Sequence, residues 1–287
     1  MSRIELSHVS YSYDPDHPED ETISDISFAV DQGEFIGLIG QTGCGKSTLI
    51  QHMNGLLKAT KGDIFYDGES IYAPKYNFQS LRFEVGLVFQ YPEYQLFEST
   101  VLDDVSYGPK NQGLSKEEAR ESALEALKMV GVTKERTWKK SPFDISGGQK
   151  RRVAIAGVLA MHPKVLILDE PAAGLDPEGR ELILEQIKKI HDETDLSVIL
   201  VSHSMEDVAN YVDRVLVMDH GRLVMDGKPR DIFSETEKMN EIGLFVPQVT
   251  FLAQELKKKG FPVSGETVLT VDEAVDAIEA GWKKKMN

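Results

Sequence analysis

The sequence predicts an α/β protein whose core is a mostly parallel β-sheet. Short, continuous apolar runs such as EFIGLIG, VGLVFQ, VLILDE and SVILVSH are typical of strands that are buried on both faces. Segments with a helical spacing of apolar residues separate these runs, and strands that alternate with helices form parallel sheets. The length of 287 residues suits one large domain, or one domain with a small appendage.

The first ninety residues are predicted to contain strands and one helix. Residues 3–12 alternate apolar and polar side chains, and residues 26–39 include EFIGLI, so both ranges are predicted as strands. A helix is expected from Lys46, where the apolar residues fall on one face. GDIFYDGESIY alternates around a turn at Asp67-Gly68, and VGLVFQ predicts the next buried strand.

Helices and strands continue to alternate up to residue 231. Ser115 and Glu118 form a predicted capping box that begins a helix, and Gly131 ends that helix. Further helices are expected at about 148–161, 178–191 and 205–210. They are interleaved with the strand-like runs VLILDE, SVILVSH, RVLVMD and RLVMDG.

Residues 232–287 are predicted to form a small helical appendage to a domain that spans residues 1–231. Pro247 is placed in the first turn of a helix that ends at Gly260. Thr270 and Glu273 form a second predicted capping box. The apolar face of the helix that follows comprises Val271, Ala274, Val275, Ile278 and Trp282. We expect this appendage to be a candidate dimer contact.

Composition and charge exclude several classes of protein. The formal charge of −15 argues against a nucleic-acid-binding surface and against direct attraction to anionic lipid. No apolar run approaches the roughly 20 residues that cross a bilayer, and the N-terminus lacks the apolar core of a signal peptide. The single cysteine excludes an intrachain disulfide and fits a reducing compartment. We therefore expect a cytosolic protein, held at any membrane by another protein.

Residues 40–47, GQTGCGKS, match G-x-x-x-x-G-K-[ST] between a predicted strand and a predicted helix. Such a loop wraps its backbone N–H groups around phosphate oxygens, its lysine reaches the β- and γ-phosphates, and its serine hydroxyl binds Mg²⁺. The alternative is a glycine-rich turn that precedes a helix. The candidate ATP-binding residues are Gly40, Gln41, Thr42, Gly43, Cys44, Gly45, Lys46, Ser47 and Thr48.

Cys44 lies inside this loop, and two interpretations of it are open. A helix N-terminus can lower the pKa of a thiol and make it reactive. The simpler interpretation is that a small residue fits this position.

Polar residues at the ends of three apolar strands predict the remaining catalytic groups. Asp169 ends VLILD and is a candidate Mg²⁺ ligand with Ser47 and Gln90, while the adjacent Glu170 is suited to polarise the attacking water. Gln90 and His203 each follow an apolar strand. Each could be an ordinary loop residue, but parallel strands bring their carboxyl ends to one edge of the sheet. We therefore expect Gln90 to contact metal and water, and His203 to donate to the γ-phosphate and to orient Glu170.

A second anion-binding segment occurs at DISGGQKRR, residues 144–152. Ser146, Gly147 and Gly148 precede or begin a predicted helix, whose N-terminal N–H groups attract anions. The three cations that follow could form a solvated basic face. We expect them to have mixed roles, with at least one pairing with carboxylates of the same domain.

GQTGCGKS, Gln90, ISGGQ, LILDEP, AGLDP and His203 occur in the order and spacing of the ATP-binding cassette (ABC) ATPases, which the chain resembles over about residues 3–230. The resemblance implies a P-loop NTPase fold with an antiparallel β subdomain and a helical subdomain at about 91–160. It also implies head-to-tail pairing of two cassettes, in which the signature SGGQ of one holds ATP bound to the other. The residues expected to act in trans are Ser146, Gly147, Gly148, Gln149 and Asp176. Tyr13, or less favourably Tyr11, resembles the aromatic residue that stacks on adenine; the alternative is a buried strand tyrosine.

YPEYQLFE after Gln90, together with GQTG, IQHMNGLLK, DEPAAGLDP and the C-terminal segment, resembles the ATPases of energy-coupling factor transporters, and most closely the second of their two paralogues. The resemblance implies a heterodimer with a paralogous cassette ATPase, docked on a transmembrane coupling subunit that holds a substrate-binding membrane protein. It implies import of vitamins or transition-metal ions and a peripheral position at the cytoplasmic face of the cell membrane. The carboxylates expected to meet arginines of the coupling subunit are Glu93, Glu98, Asp103 and Asp104.

Other functional classes fit less well. The nearest rival is the ATPase of a conventional binding-protein-dependent importer. Chromosome-maintenance members carry long coiled coils between phosphate loop and signature, and this interval has no sustained heptads. A regulatory module without hydrolysis is disfavoured because Glu170 and His203 are both present. The chain departs from the common family pattern at Ile145, Ala173 and Gly174, and the last two supply no hydroxyl groups, which predicts two inequivalent ATP sites.

Overall fold

The computed structural model describes residues 2–17, 19–265 and 267–286, and two β-sheets form its core. The antiparallel sheet has the strand order β2-β1-β4-β5, and the larger sheet has the order β10-β9-β3-β8-β7-β6. In the larger sheet all neighbours are parallel except β10, which runs antiparallel to β9. The predicted mostly parallel α/β fold is therefore confirmed. The strands are β1 (Ser2–Tyr11), β2 (Ile23–Asp31), β3 (Phe35–Gly40), β4 (Lys61–Tyr66), β5 (Glu69–Ser70), β6 (Val85–Val88), β7 (Val165–Asp169), β8 (Ser197–Val201), β9 (Arg214–Asp219) and β10 (Arg222–Gly227).

Helices cover the sheets and connect the strands. No described helix combines the length and apolar character that a membrane-spanning helix needs. The helices are α1 (Lys46–Met53), α2 (Phe78–Glu84), α3 (Val101–Asn111), α4 (Lys116–Met129), α5 (Glu135–Trp138), α6 (Gly147–Leu159), α7 (Pro177–Glu193), α8 (Met205–Tyr211), α9 (Pro229–Ser234), α10 (Thr236–Glu241), α11 (Gln248–Lys258) and α12 (Val271–Met286). Helices α3 to α6 lie within the range predicted for a helical subdomain.

The continuous apolar runs are explained by burial on both faces of the parallel sheet. Every residue of β3, β7 and β8 is buried. Alternate side chains of each strand enter two different hydrophobic clusters: Ile167 packs toward α1 and the antiparallel sheet, and Leu168 packs toward the helices of the other face. The sheet therefore lies between two hydrophobic cores. Burial of both faces holds the strands, and so the residues at their carboxyl ends, in fixed positions.

The predicted strand at residues 26–39 is wrong as a single element. β2 ends at Asp31, a turn follows with Gly33 at φ +69°, and β3 begins at Phe35. The two strands join different sheets, because β2 pairs antiparallel with β1 while β3 pairs in parallel with β8 and β9. Apolar content alone does not reveal such a break, since both strands are largely buried.

Helices α2 and α3 were not predicted from the sequence, although both carry N-terminal capping signals. The side chain of Asn77 accepts hydrogen bonds from two backbone N–H groups of α2, and Thr100 accepts one from Asp103 N in α3. The predicted capping box at Ser115 and Glu118 is confirmed for α4.

The C-terminal segment packs in two parts. Residues of α9, α10 and the following loop enter the core of the main domain up to Val246, beyond the boundary predicted at residue 231. A separate small cluster of Ala253, Val268 and Ala274 begins with α11. Pro247 is the residue before α11 rather than part of its first turn. On the predicted apolar face of α12 Ala274 is buried, while Val271, Val275 and Trp282 remain exposed.

Only half of the second predicted capping box forms. The N–H of Glu273 donates to Thr270 Oγ1 at 3.2 Å, as expected. The carboxylate of Glu273 instead accepts from Leu269 N at 2.8 Å and from Arg230 Nη2 at 2.8 Å. The capping carboxylate thus ties α12 to α9.

Candidate functional site

The phosphate loop connects the end of β3 to the start of α1, as the motif predicts. Gly43 and Gly45 have φ values of +84° and +101°, a region that favours glycine. A Cβ on Gly45 would lie 2.8 Å from Ile23 Cγ2, so this position also has no room for a side chain. Lys46 is buried, and its Nζ donates to Gly40 O at 2.6 Å and to Gln41 O at 2.8 Å. The ammonium group is therefore held inside the curve of the loop, where phosphate oxygens would bind.

Ser47 and Asp169 meet at the mouth of this loop although 122 residues separate them. Ser47 Oγ donates to Asp169 Oδ2 at 3.1 Å. Burial raises the pKa of Asp169, and the hydrogen bond from Ser47 opposes that rise. Within the described residues, no three His, Cys, Asp or Glu side chains are grouped to hold a metal ion. One hydroxyl and one carboxylate suit Mg²⁺, which binds proteins through few ligands and keeps phosphate oxygens and water as the others.

Glu170 lies at the centre of the three predicted catalytic residues and contacts both of the others. Its Oε1 lies 2.6 Å from His203 Nε2, and its Oε2 accepts a hydrogen bond from Gln90 Nε2 at 3.3 Å. The backbone of Glu170 has a φ of +50°, an uncommon conformation for a residue other than glycine. This turn follows directly after the last residue of β7, Asp169. The structure brings the three predicted residues together, as expected from their positions at strand ends.

Two tyrosines lie near the phosphate loop, and one is exposed while the other is packed against neighbouring side chains. β1 ends at Tyr11, so Tyr13 lies beyond the strand and is 57% exposed. The Tyr13 hydroxyl lies 3.2 Å from Thr48 Oγ1, which places its ring beside the start of α1. Tyr11 contacts the ring of Tyr13 edge-to-face and also packs on buried His52. The alternative of a packed strand tyrosine therefore describes Tyr11, and Tyr13 is the one with a free ring face.

Cys44 fits the simpler interpretation. Its thiol is buried and lies 3.9 Å from Lys46 Nζ. Burial raises the pKa of Cys44, and the charge of Lys46 offsets this only in part. The alternative of a lowered thiol pKa is therefore not supported, because desolvation outweighs the charge of Lys46 and the backbone hydrogen bonds.

The signature segment forms the start of α6. Ser146 and Gln149 form a reciprocal capping box, with distances of 3.4 and 3.3 Å, which an S-x-x-Q pattern could have revealed. A Cβ on Gly147 or Gly148 would meet nothing within 4 Å, so this turn is open. Within the described residues, no hydrogen bond or ion pair joins residues 146–149 to the phosphate loop of the same chain.

Asp176 has a role within its own chain. It caps α7, where its Oδ1 accepts from Gly179 N at 3.0 Å. The residue is exposed, so its second carboxylate oxygen is accessible to a partner. The expected contact in trans stays a prediction.

The structure corrects the role expected for Glu93. Both of its carboxylate oxygens accept hydrogen bonds from Arg151, at 3.0 and 2.7 Å. Burial is the largest single influence and raises the pKa of Glu93, but the hydrogen bonds and charge of Arg151, a backbone N–H group and the charge of Lys150 together lower it below its ordinary value. Glu93 is thus paired inside the chain and has no free carboxylate for a docking partner. The expectation that one cation of residues 150–152 pairs with a carboxylate is confirmed by Arg151.

The other three predicted docking carboxylates differ in availability. Asp104 Oδ2 accepts from the backbone N–H groups of Phe97 and Glu98, at 2.8 and 2.9 Å. Asp103 accepts from the Thr100 hydroxyl at 2.6 Å. The Glu98 carboxylate has no hydrogen bond or ion pair to any of the described residues. Exposed rings surround this segment: Tyr91, Tyr94, Phe97 and Tyr107.

An open cavity of about 1130 Å³ lies beside the phosphate loop. Gln41 and Thr42 of the loop line one side, and Phe245 and Phe251 of the C-terminal segment line the other. His203 is also part of the wall. Neither Tyr13 nor Asp169 is among the residues that line this space, so the cavity adjoins the first residues of the loop, Gly40 to Thr42.

Comparison with known proteins agrees with these features. The family described as ABC transporter matches residues 23–173. The energy-coupling factor transporter ATP-binding proteins EcfA2 of Caldanaerobacter subterraneus and Clostridium perfringens are each 53% identical over 276 residues, which covers 96% of this chain and 96% of each relative.

Two solved structures share the fold. The structure of cbiO1 from Clostridium perfringens, part of the ABC transporter complex cbiONQ, has a TM-score of 0.75 and 38% identity, and covers 88% of this chain and 99% of that chain. The dimeric ATP-binding cassette MJ0796, bound to ADP and Pi, has a TM-score of 0.69 and 29% identity, and covers 79% and 99% of the two chains. This chain therefore belongs to the ABC transporter ATPases, among the ATP-binding proteins of energy-coupling factor transporters.

Proposed function

We propose that this chain powers an energy-coupling factor importer as one half of a heterodimer with a paralogous cassette ATPase. The observation that carries the proposal is the open signature turn at Ser146, Gly147 and Gly148, which has no bond to the phosphate loop of its own chain. A helix start with free N–H groups binds an anion. Because the chain has one phosphate loop, the anion that fits this turn is the γ-phosphate of ATP bound to a second chain.

The residues in and around the phosphate loop have separate roles in the proposed hydrolysis of ATP. Lys46 and the loop N–H groups would bind the phosphates of ATP, and Ser47, Asp169 and Gln90 would hold Mg²⁺, which supplies charge neutralisation when bound. Glu170 accepts the proton of the attacking water, and His203 at 2.6 Å fixes the orientation of that carboxylate. Tyr13 offers its exposed ring face to adenine.

A trapped dimer tests the pairing in trans. With Glu170→Gln to prevent hydrolysis, the chain co-expressed with its paralogue should form a stable heterodimer in ATP, as measured by light scattering after size-exclusion chromatography. Adding Gly147→Arg, which fills the open turn, should abolish the dimer while binding of a fluorescent ATP analogue to the P-loop stays within twofold. A dimer that forms equally well with Gly147→Arg would contradict the proposed role of the signature turn.

We place the contact with a transmembrane coupling subunit on the face formed by Glu98 and the exposed rings of Tyr94 and Phe97. Arginines of such a subunit would find one free carboxylate and apolar ring faces there, since Arg pairs with carboxylates and stacks on aromatic rings. Glu98→Lys should reduce co-purification of the co-expressed coupling subunit and leave ATP affinity unchanged. Glu117→Lys, an exposed charge reversal on α4, is the matched control. Equal recovery of the membrane subunit with both variants would refute this placement.

The cargo is proposed to be a vitamin or a transition-metal ion, selected by a substrate-binding membrane protein in the same complex. The chain would lie at the cytoplasmic face of the membrane, held there by protein contacts, because its net charge of −15 is repelled by anionic lipid. The same charge disfavours nucleic acid as a partner. Purification of the intact complex and identification of its membrane subunits tests this part, and a periplasmic or surface binding protein among them would favour a conventional importer.

A further inference from the structure

Arg151, in the second turn of α6, is a buried cation that the phosphate sites described above do not use. Its side chain is 3% exposed. Nε and Nη2 donate to the two carboxylate oxygens of Glu93 at 3.0 and 2.7 Å. Nη1 donates to the carbonyl oxygens of Pro171 at 3.2 Å and Ala173 at 2.5 Å. A single guanidinium thus makes four hydrogen bonds to two separate segments of the chain.

The two segments are those that follow the catalytic residues. Glu93 lies three residues after Gln90, and Pro171 immediately follows Glu170. Arg151 itself stands five residues after Ser146, on the helix whose first turn forms the signature site. The ring of Tyr91 lies 5.9 Å from the guanidinium and packs the same junction. The structure therefore joins three functional segments at one side chain.

Physical chemistry makes this junction rigid. The planar guanidinium has five fixed N–H donors, and four are used here in the fork geometry that matches a carboxylate. A buried cation that loses one of its partners keeps an uncompensated charge, so separation of either segment from Arg151 is strongly unfavourable. The three segments can therefore move as one body more easily than they can move apart.

We propose that Arg151 is a positioning residue that transmits displacement of the segment after Gln90 to the signature turn and to the segment after Glu170. The inference rests on the proposed function in one respect. The displacement would be caused by a membrane subunit that docks near Tyr94 and Phe97, in the same segment as Glu93. Docking would then set the position of the donors at Ser146 relative to the ATP of the partner chain. Glu93 is the inner member of this linkage rather than a contact with the membrane subunit.

Arg151→Lys tests the linkage with the charge retained. One ammonium nitrogen cannot bond both oxygens of Glu93 and the two carbonyl groups in the same geometry. In the full chain without nucleotide, hydrogen–deuterium exchange of amides at 93–97 and 172–175 should become at least tenfold faster, while amides of β3 and β7 keep their rates. The kcat for ATP hydrolysis should fall about tenfold, equivalent to about 1.4 kcal/mol, with the KM for ATP within twofold.

Arg82→Lys is the matched control, because Arg82 on α2 donates to the backbone carbonyl of Gly55 at 2.9 Å, a contact outside the junction and outside the ATP site. It should change kcat and the two exchange rates by less than twofold. Glu93→Gln is the second variant, and it should reproduce the faster exchange of Arg151→Lys without adding to it in the double variant.

Unchanged exchange in Arg151→Lys, a loss of protection spread over the whole sheet, or fully additive effects of the two substitutions would overturn the proposal. A failure of the heterodimer with the paralogous ATPase to hydrolyse ATP would instead contradict the proposed function. Because the exchange rates are measured without nucleotide, they test the linkage whether or not the chain hydrolyses ATP.

Discussion

Replacing His203 with alanine should lower kcat for ATP hydrolysis about 10- to 50-fold and leave the KM for ATP nearly unchanged. His203 Nε2 lies 2.6 Å from Glu170 Oε1. A hydrogen bond to a charged group contributes about 1.5–3 kcal/mol, which is roughly 10- to 150-fold in rate. The imidazole is 43% exposed, so water can replace part of its contact, and we therefore expect the lower part of that range.

The separation of kcat from KM follows from the positions of the two contacts. Lys46 is held by the phosphate loop through Gly40 and Gln41, and none of these bonds involves His203. ATP binding should therefore persist, whereas Glu170 loses the group that fixes its carboxylate when water is activated. An interaction made in the transition state alone lowers kcat and leaves KM.

Phosphate release measured over a range of MgATP concentrations is the assay. His220→Asn is the control, because His220 is exposed, lies 3.7 Å from Asp219, and has a φ of +42° that asparagine tolerates. It should retain kcat and KM within twofold. A His203→Ala variant with unaltered kcat, or with a raised KM and unaltered kcat, would refute the assignment of His203 as the residue that orients Glu170.

Three further predictions concern nucleotide binding and stability. Lys46→Ala should abolish detectable binding of a fluorescent ATP analogue, since the loop loses its one cation; binding within tenfold of the parent would contradict this. Tyr13→Ala should weaken ATP binding by about 1–3 kcal/mol through lost stacking, whereas Tyr13→Phe should bind normally, as measured by calorimetry; equal affinities of the two variants would exclude stacking. Glu93 has a lowered pKa when folded, so its contribution to stability is full above its ordinary pKa of 4.5 and is lost as pH falls through the lowered value. In urea unfolding at pH 7, Glu93→Gln should cost roughly 3 kcal/mol, because Arg151 stays buried without its counter-charge, and this difference from the parent should shrink in acid; a pH-independent difference would argue against the ion pair.

Local sequence signals predicted the phosphate loop almost completely. A strand, a glycine-rich loop and a helix are contiguous in the chain, and the positive φ values of Gly43 and Gly45 are demanded by the loop itself. The same holds for the capping box of α4, where Ser115 and Glu118 are three residues apart. Features of this kind depend on the backbone conformation of a few neighbouring residues, so they can be predicted from a short stretch of sequence.

The break between β2 and β3, within residues 26–39, is a feature that local sequence signals do not predict. Both halves of this range are apolar enough for strands, and the turn near Gly33 gives little warning that the chain passes from one sheet to another. The choice of sheet depends on which strands each half can pair with, and those partners lie far away in the chain. Helix α3 was missed for a related reason, since its buried residues pack against α4 and α6, which follow later in the chain.

The amino-acid sequence by itself determined the strand–loop–helix of the phosphate site and the family, and it supplied the candidate catalytic residues, because each rests on short-range geometry or on residue type. Only the tertiary structure decided which carboxylates are free. Glu93 and Glu98 look alike in the sequence, yet Arg151, 58 residues from Glu93, pairs with one and leaves the other available to a partner. The physical reason is that an ion pair depends on the direction and burial of two side chains after folding, and the spacing of residues along the chain does not fix either.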